Sequence, residues 1–365
     1  MFRRLTVLAA WLATATATLA LDTSAGRVEI TPVIEHLDTP WALAHLPDGG
    51  ILITEKDGRL LHWSGGRIRE VAGTPRVATQ GQGGLLDITL PRDFTRSREV
   101  FLSYAKRQGR GSGTALAKAR LSSDGTRLQG LTDLFVMAPG ASGGRHFGSR
   151  VVEASDGTLF LTIGDRGDGP AAQDLGTHNG SVIRVTRDGA VPGDNPFVGQ
   201  PGVLPQIWSY GHRNPQGAAL DSQGRLWTAE HGAQGGDEVN LIRKGGNFGW
   251  PVISFGRHYS GAKIGEGTAK PGMEQPALYW DPSIAPSGLM IYDGTMFPDW
   301  RGDLFVGSLK FDYISRIEVN GTSAREAEQL KSDETLRVRD ITQAPDGSIW
   351  FISVGNGTIY RIAKP

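Results

Sequence analysis

Between Ser209 and Pro251 polar residues crowd more densely than a strand connection needs. His212-Arg213-Asn214-Pro215, Glu230-His231-Gly232, Asp237-Glu238, Asn247 and a closing Gly-Trp-Pro fall within that one stretch. It is the first place to look for a site. Further along, Arg337 and Arg339 are separated by one residue. On a strand both guanidinium groups then share a face, and two like charges there call for an anionic partner. An imidazole titrates near neutral pH and can move a proton. The chain has eight histidines, and a lone histidine is more often a hydrogen-bonded turn or core residue than a base. His146 has a carboxylate, Asp165, at the end of the strand that follows it, where it could fix the imidazole tautomer or simply cap a turn.

Six passages of similar build must position these groups. They begin at Pro40, Gly84, Phe147, Asn214, Ser287 and Val338, and in each a short apolar segment meets a turn, often Asp-Gly, before further apolar segments follow. Alternation such as Leu159-Leu161-Ile163 marks strands of period near two. Repeats of roughly 40–60 residues with several strands each characterise β-propellers, where a lone blade cannot bury both faces. The expected fold is all-β, a six-bladed propeller of four-stranded antiparallel blades, with a two-sheet sandwich as the rival. Long loops fall at 164–181, 186–207 and 249–287, and loops of that length usually carry function.

Composition narrows the function. Lys plus Arg and Asp plus Glu number 38 each, so no global field favours nucleic acid or an anionic membrane. Cysteine is absent, which excludes disulfides, thiolate metal sites and a cysteine nucleophile. Glycine is abundant at 51 residues, which suits many tight turns. At the N-terminus Arg3 and Arg4 precede an uncharged run from Leu5 to Leu19 ending in small residues. Residues 1–20 read as a signal peptide cleaved after Ala20, leaving a propeller at 21–365 that is periplasmic or secreted, with no membrane insertion after cleavage.

Nine short motifs, in order, resemble the pyrroloquinoline-quinone-dependent aldose sugar dehydrogenases, relatives of soluble quinoprotein glucose dehydrogenase. They are GQGGLLD from Gly81, RHFGSR from Arg145, TIGDRGD from Thr162, GHRNPQG from Gly211, EHGAQGGDEVN from Glu230, GGNFGWP from Gly245, APSG from Ala285, SLK from Ser308 and RVRD from Arg337. The resemblance implies oxidation of aldoses at C1, with pyrroloquinoline quinone and calcium as cofactors and an external electron acceptor. It implies His146 as general base supported by Asp165 and Arg213. It implies Gln82, Arg213, Asn214, Tyr259, Lys310, Arg337 and Arg339 at the quinone, the cations facing its three carboxylates. It further implies a cofactor-side calcium on the carbonyls of Gly232 and Ala233, and a structural calcium at Glu238 and the carbonyl of Phe248. Relatives often carry Pro at position 233 and Tyr at 248, changes that a main-chain ligand tolerates. Arg145 stands where glucose-oxidising relatives have an acid, which implies a broader or different aldose range. Tyr279 and Trp280 match aromatic residues that stack on sugar.

Other patterns carry less. Arg166-Gly167-Asp168 and Arg301-Gly302-Asp303 fall at turns where such residues are expected, and the Gly-rich segment at Gly81 opens no helix, so nicotinamide is disfavoured. Two other functions fit the same fold: a calcium-dependent lactonase or related hydrolase, and a non-catalytic binding propeller.

Overall fold

The computed structural model describes residues 19–365. Six antiparallel sheets follow one another along the chain. Five are the expected four-stranded blades, spanning 40–70, 85–136, 151–210, 215–280 and 286–330. The sandwich is excluded. The sixth passage supplies only three strands, Val338–Gln343, Ile349–Ser353 and Thr358–Ala363, and the expectation that each passage makes a whole blade fails there. The N-terminal strand Gly26–Ile34 supplies the fourth, pairing Glu29 with Ala363 and Ile34 with Ile359. Joining the two ends of the chain in one sheet closes the ring and removes a free edge. A fifth strand, Leu19–Thr23, lies outside it. Leu19 and Ala20 pair with Ile30 and Glu29, so cleavage after Ala20 would trim this outer strand. The rest of the expected leader lies outside the described residues. No helix among them is long and apolar enough to cross a membrane.

The hairpin chemistry explains the blades. Gly157 and Gly347 take φ of +82°, open to glycine at little cost. The preceding aspartates close the turns, Asp156 accepting from the amide of Thr158 and Asp346 from that of Ser348, each at 2.9 Å. Six apolar clusters result, one between each pair of neighbouring blades. Trp41, Leu52, Leu85 and Leu102 join the first two blades, and Val28, Phe305, Ile341 and Phe351 join the last two. Each fully buried Leu, Ile or Phe contributes about 1.5–3 kcal/mol.

The inner strands share a further device. In the first, fourth and sixth blades the ladder skips one residue near the start of the inner strand, at Trp41, Gln216 and Arg339. A β-bulge re-aims the side chain of the extra residue. All three side chains line the central cavity.

Candidate functional site

That cavity, of about 660 Å3, opens at the end of the ring where the inner strands begin. Trp41, Gln216 and Arg339 reach it from bulges; Lys310 and Arg337 come from connecting loops, and Gln82, His231, Lys56 and Asp312 are also in the wall. Arg337 adopts a left-handed φ of +53°, held by its amide donating to Asp312 at 2.9 Å and its guanidinium donating to the Leu309 carbonyl at 3.0 Å. Arg339 donates to the side-chain oxygen of Gln216 at 2.8 Å. Burial, reinforced by the like charges of Arg150 and Arg337, pulls its guanidinium down to about 10. Among the described residues Lys310, Arg337, Arg339 and Arg213 form no salt bridge, whereas Arg150, Arg184 and Arg316 each have carboxylate partners. Lys310, Arg337 and Arg339 line the central cavity with Lys56 and one carboxylate, Asp312, while Arg213 lines a smaller neighbouring one; such a surplus of cations suits a polyanionic ligand.

His146 stands beside the cavity, between the lining residues Gln82 and Phe147. Its Nδ1 is 2.6 Å from Asp165 Oδ1, and its main-chain amide donates to Gln82 at 2.6 Å. Asp165 is fixed by two more donors, the amide of Gly167 at 2.7 Å and the indole of Trp250 at 2.8 Å. Burial opposes ionisation of Asp165, but the His146 and Gly167 hydrogen bonds and the Arg213 charge outweigh it and hold the carboxyl below its ordinary value. An ionised Asp165 places the imidazole proton on Nδ1 and leaves Nε2 as acceptor. Burial lowers the His146 pKa from 6.5, with Asp165 opposing and Arg213 and Arg145 assisting.

The other expected residues divide. Asn214 is buried and accepts from the Gly148 amide at 3.1 Å and the Gln216 side chain at 3.2 Å, a brace beneath the cavity wall. Arg213 donates to the His231 carbonyl at 3.2 Å and lies over Trp250, while its Nε is buried without a partner. Tyr259 is 77% exposed and does not line the cavity. Trp280 is buried and packed, leaving Tyr279, stacked on Phe255 at 4.1 Å, as the surface aromatic.

Three of the four expected metal-ligand positions, Gly232, Glu238 and Phe248, line one small cavity of about 10 Å3, together with Glu230; Ala233 does not line it. A volume of that order holds about one water-sized sphere. Glu238 is pushed upward by burial first and by the adjacent Glu230 second. Asn240 donates to Glu230 at 2.8 Å and to Glu238 at 3.1 Å, while its own Oδ1 is buried without a partner. Arg213 lines the same void and Asn240 does not; two carboxylates there suit a hard cation, with the Arg213 charge opposing it. No group of three His, Asp or Glu side chains among the described residues could hold a metal, so such an ion would rely on main-chain oxygens too.

Sequence reasoning assigned no role to Trp41, Gln216, His231 or Trp250. The last three lie inside quoted motifs; nothing in the local pattern of Trp41 revealed its bulge.

The ring gathers Lys310, Arg337 and Arg339 around one axial cavity beside a histidine–carboxylate pair, an arrangement with the charge to suit an anionic small molecule. The chain belongs to the glucose / sorbosone dehydrogenase family, whose model matches residues 37–361. It is 41% identical over 341 residues to the aldose sugar dehydrogenase YliI of Escherichia coli, covering 92% of each chain. The apo crystal structure of the soluble aldose sugar dehydrogenase from Escherichia coli superposes with a TM-score of 0.90 at 39% identity, over 93% of this chain and 100% of the other. The pyrroloquinoline-quinone-bound aldose sugar dehydrogenase of Streptomyces coelicolor does so at 0.78 and 26% identity, over 96% and 99%.

Proposed function

We propose that this protein oxidises aldose sugars at C1 to lactones, using pyrroloquinoline quinone and calcium and passing electrons to an external acceptor outside the cytoplasm. The observation that carries this reading is the oriented His146–Asp165 pair beside a cavity of unpaired cations. Lys310, Arg337 and Arg339 would hold the quinone carboxylates, and Arg213, with its unpartnered Nε, would sit at the reacting end. The quinone, when bound, supplies the hydride acceptor, and calcium supplies Lewis acidity. Gly232 would offer its carbonyl to a cation, and Glu238 with Glu230 would supply negative charge to the same void.

His146 Nε2 takes the proton of the anomeric hydroxyl as C1 becomes the lactone carbonyl, and Asp165 stabilises the imidazolium that forms. Only neutral His146 can act, so turnover falls as pH drops. Because burial lowers its pKa, the limb of the free-enzyme profile lies below 6.5. A calcium-centred hydrolase would need no unpaired cation set, and a binding propeller would need no oriented dyad.

Reconstitution tests the reading. Apoprotein given pyrroloquinoline quinone and calcium should reduce a dye in the presence of an aldose; hydrolysis of a lactone without quinone would overturn the assignment. In single-turnover mixing, His146→Gln should slow quinone reduction by about 10²–10⁴-fold with the fold and quinone affinity retained. Asp165→Asn should cost less, because it disturbs the ring without deleting it.

A further inference from the structure

Arg166 has no place in the chemistry above, and its Arg-Gly-Asp context reads as a chance turn. Its surroundings are more specific than that. The residue follows Asp165 directly, takes a left-handed φ of +58° and is 3% exposed. Its guanidinium carbon lies 3.4 Å from the centre of the Phe147 ring. The fork donates to the main-chain carbonyl of Gly143 at 2.8 Å and to that of Arg145, and a weaker contact reaches the Ser112 carbonyl at 3.4 Å. Arg166 therefore touches residues on both sides of His146 in sequence, and anchors them to the second blade through Ser112.

The loop it grips is one that would not hold its shape alone. His146 at +54° and Ser149 at +93° both occupy backbone conformations that side-chain-bearing residues avoid. Each such residue costs on the order of 1–3 kcal/mol unless its surroundings enforce it. Gln82 enforces one side by accepting from the His146 amide. Among the described residues no other hydrogen-bond donor reaches the carbonyls of Gly143 and Arg145.

We propose that Arg166 is a positioning residue for the His146 imidazole: its guanidinium, pinned on Phe147 and donating to the carbonyls of Gly143 and Arg145, holds the strained loop so that Nδ1 meets Asp165 and Nε2 faces the cavity. Asp165 and Arg166 then act from adjacent positions, one on the ring and one on the main chain that carries it. A point charge could not replace this, because the fork reaches two carbonyls while its flat face stacks on an aromatic ring. The proposal rests on the reading of His146 as the base.

The test uses Arg166→Gln and Arg166→Lys in the full chain. Ring-proton NMR of the apoprotein, with the His146 resonance assigned by its loss in His146→Gln, gives the imidazole titration directly. Both variants should move the His146 pKa upward toward 6.5 as the ring loosens into solvent. Reconstituted with quinone and calcium, they should turn over about 10²-fold more slowly, the scale expected for misplacement by roughly 1 Å, with quinone affinity unchanged. A folded variant whose His146 titration matches wild type would overturn the proposal, even if its melting temperature fell. Should Arg166→Gln fail to fold, Arg166→Lys, which keeps the charge but places its donors on a single nitrogen, decides alone. If His146→Gln retained wild-type quinone reduction, the base assignment would fail while the titration still judged the clamp.

Discussion

Two arginines flank the indole of Trp41, and their surroundings are opposite. Arg150 lies 4.8 Å from the ring and Arg339 lies 5.7 Å from it. Arg150 meets Asp87 at 2.7 Å and Asp340 at 3.0 Å, and the amides of Val151 and Leu43 donate to the same carboxylates. These contacts join the first, second, third and sixth blades at the axis. Burial works against the Arg150 charge, but the two carboxylates outweigh it and raise its pKa. Arg339 has only a neutral amide oxygen in hydrogen-bond reach, and its pKa falls. The same residue type thus closes the ring on one side of Trp41 and leaves charge unbalanced on the other. Arg150 has its counter-charge built in, whereas Arg339 leaves that place to a ligand; Arg166 shows a third arrangement, a buried guanidinium held by main-chain carbonyls in place of carboxylates.

The most damaging way to probe the contrast is on the structural side. Arg150→Ala leaves two buried carboxylates without their cation, and removing one partner of such a network costs about 3–5 kcal/mol. Chemical denaturation should register that loss. A loss under about 1 kcal/mol, the scale of an exposed pair, would mean that the triad does not hold the blades together.

Glu230 meets His212 at 2.9 Å, and the carboxyl of Glu238, raised to about 8, would give up its proton to take a cation in the small cavity. Calcium at 100 times its dissociation constant should stabilise the protein by about 2.7 kcal/mol, read as a rise in melting temperature that chelation reverses. Glu238→Gln should abolish most of that rise. An equal calcium response in Glu238→Gln would place the ion elsewhere.

Arg339→Ala should behave in the opposite way to Arg150→Ala. Loss of one charge-assisted contact of about 1.5–3 kcal/mol weakens quinone binding by roughly one to two orders of magnitude. Stability without quinone should hold or improve, because an unpaired partly buried cation is gone. If fluorescence titration shows unchanged affinity and the melt drops as in Arg150→Ala, the distinction between the two arginines collapses.

How much of this was legible in the sequence follows from the range of the interactions. Alternating strands and Asp-Gly hairpins are local, so the blade count and strand directions could be read directly. Pairing of Gly26–Ile34 with Thr358–Ala363 joins the two ends of the chain and has no local signature. The motif resemblance supplied His146, Asp165 and the cations, and the structure brings His146 to Asp165 and sets Lys310, Arg337 and Arg339 around one cavity. It could not supply the bulges that turn Trp41, Gln216 and Arg339 inward, because a bulge is a relation between two strands. Nor could it separate Arg150 from Arg339, since the difference lies in carboxylates more than sixty residues away from Arg150 along the chain.

The most gradual expected effect, spread over about two pH units, bears on what the closed triad costs. Burial first, and the charge of Asp87 as well, raise the carboxyl of Asp340 from 3.8 to about 6 against the pull of Arg150. Between those two values the folded protein binds a proton that the unfolded chain has released. Stability from this group therefore falls as pH rises from about 3.8 to about 6, and is level above that. His45 and His178, both lowered by burial to about 4, act in the opposite direction up to 6.5, so the wild-type curve alone does not isolate the carboxyl. Subtracting the curve of Asp340→Asn does, because the histidines are common to both. The difference should decline with pH by less than one proton's worth, about 1.4 kcal/mol per unit, and then flatten. A difference that climbs with pH would mean that the pull of Arg150 exceeds the burial penalty and that the triad is a net source of stability. A decline would mean that the triad is kept for joining blades in one register, at some expense in stability, while the unpaired side of Trp41 is kept for its ligand.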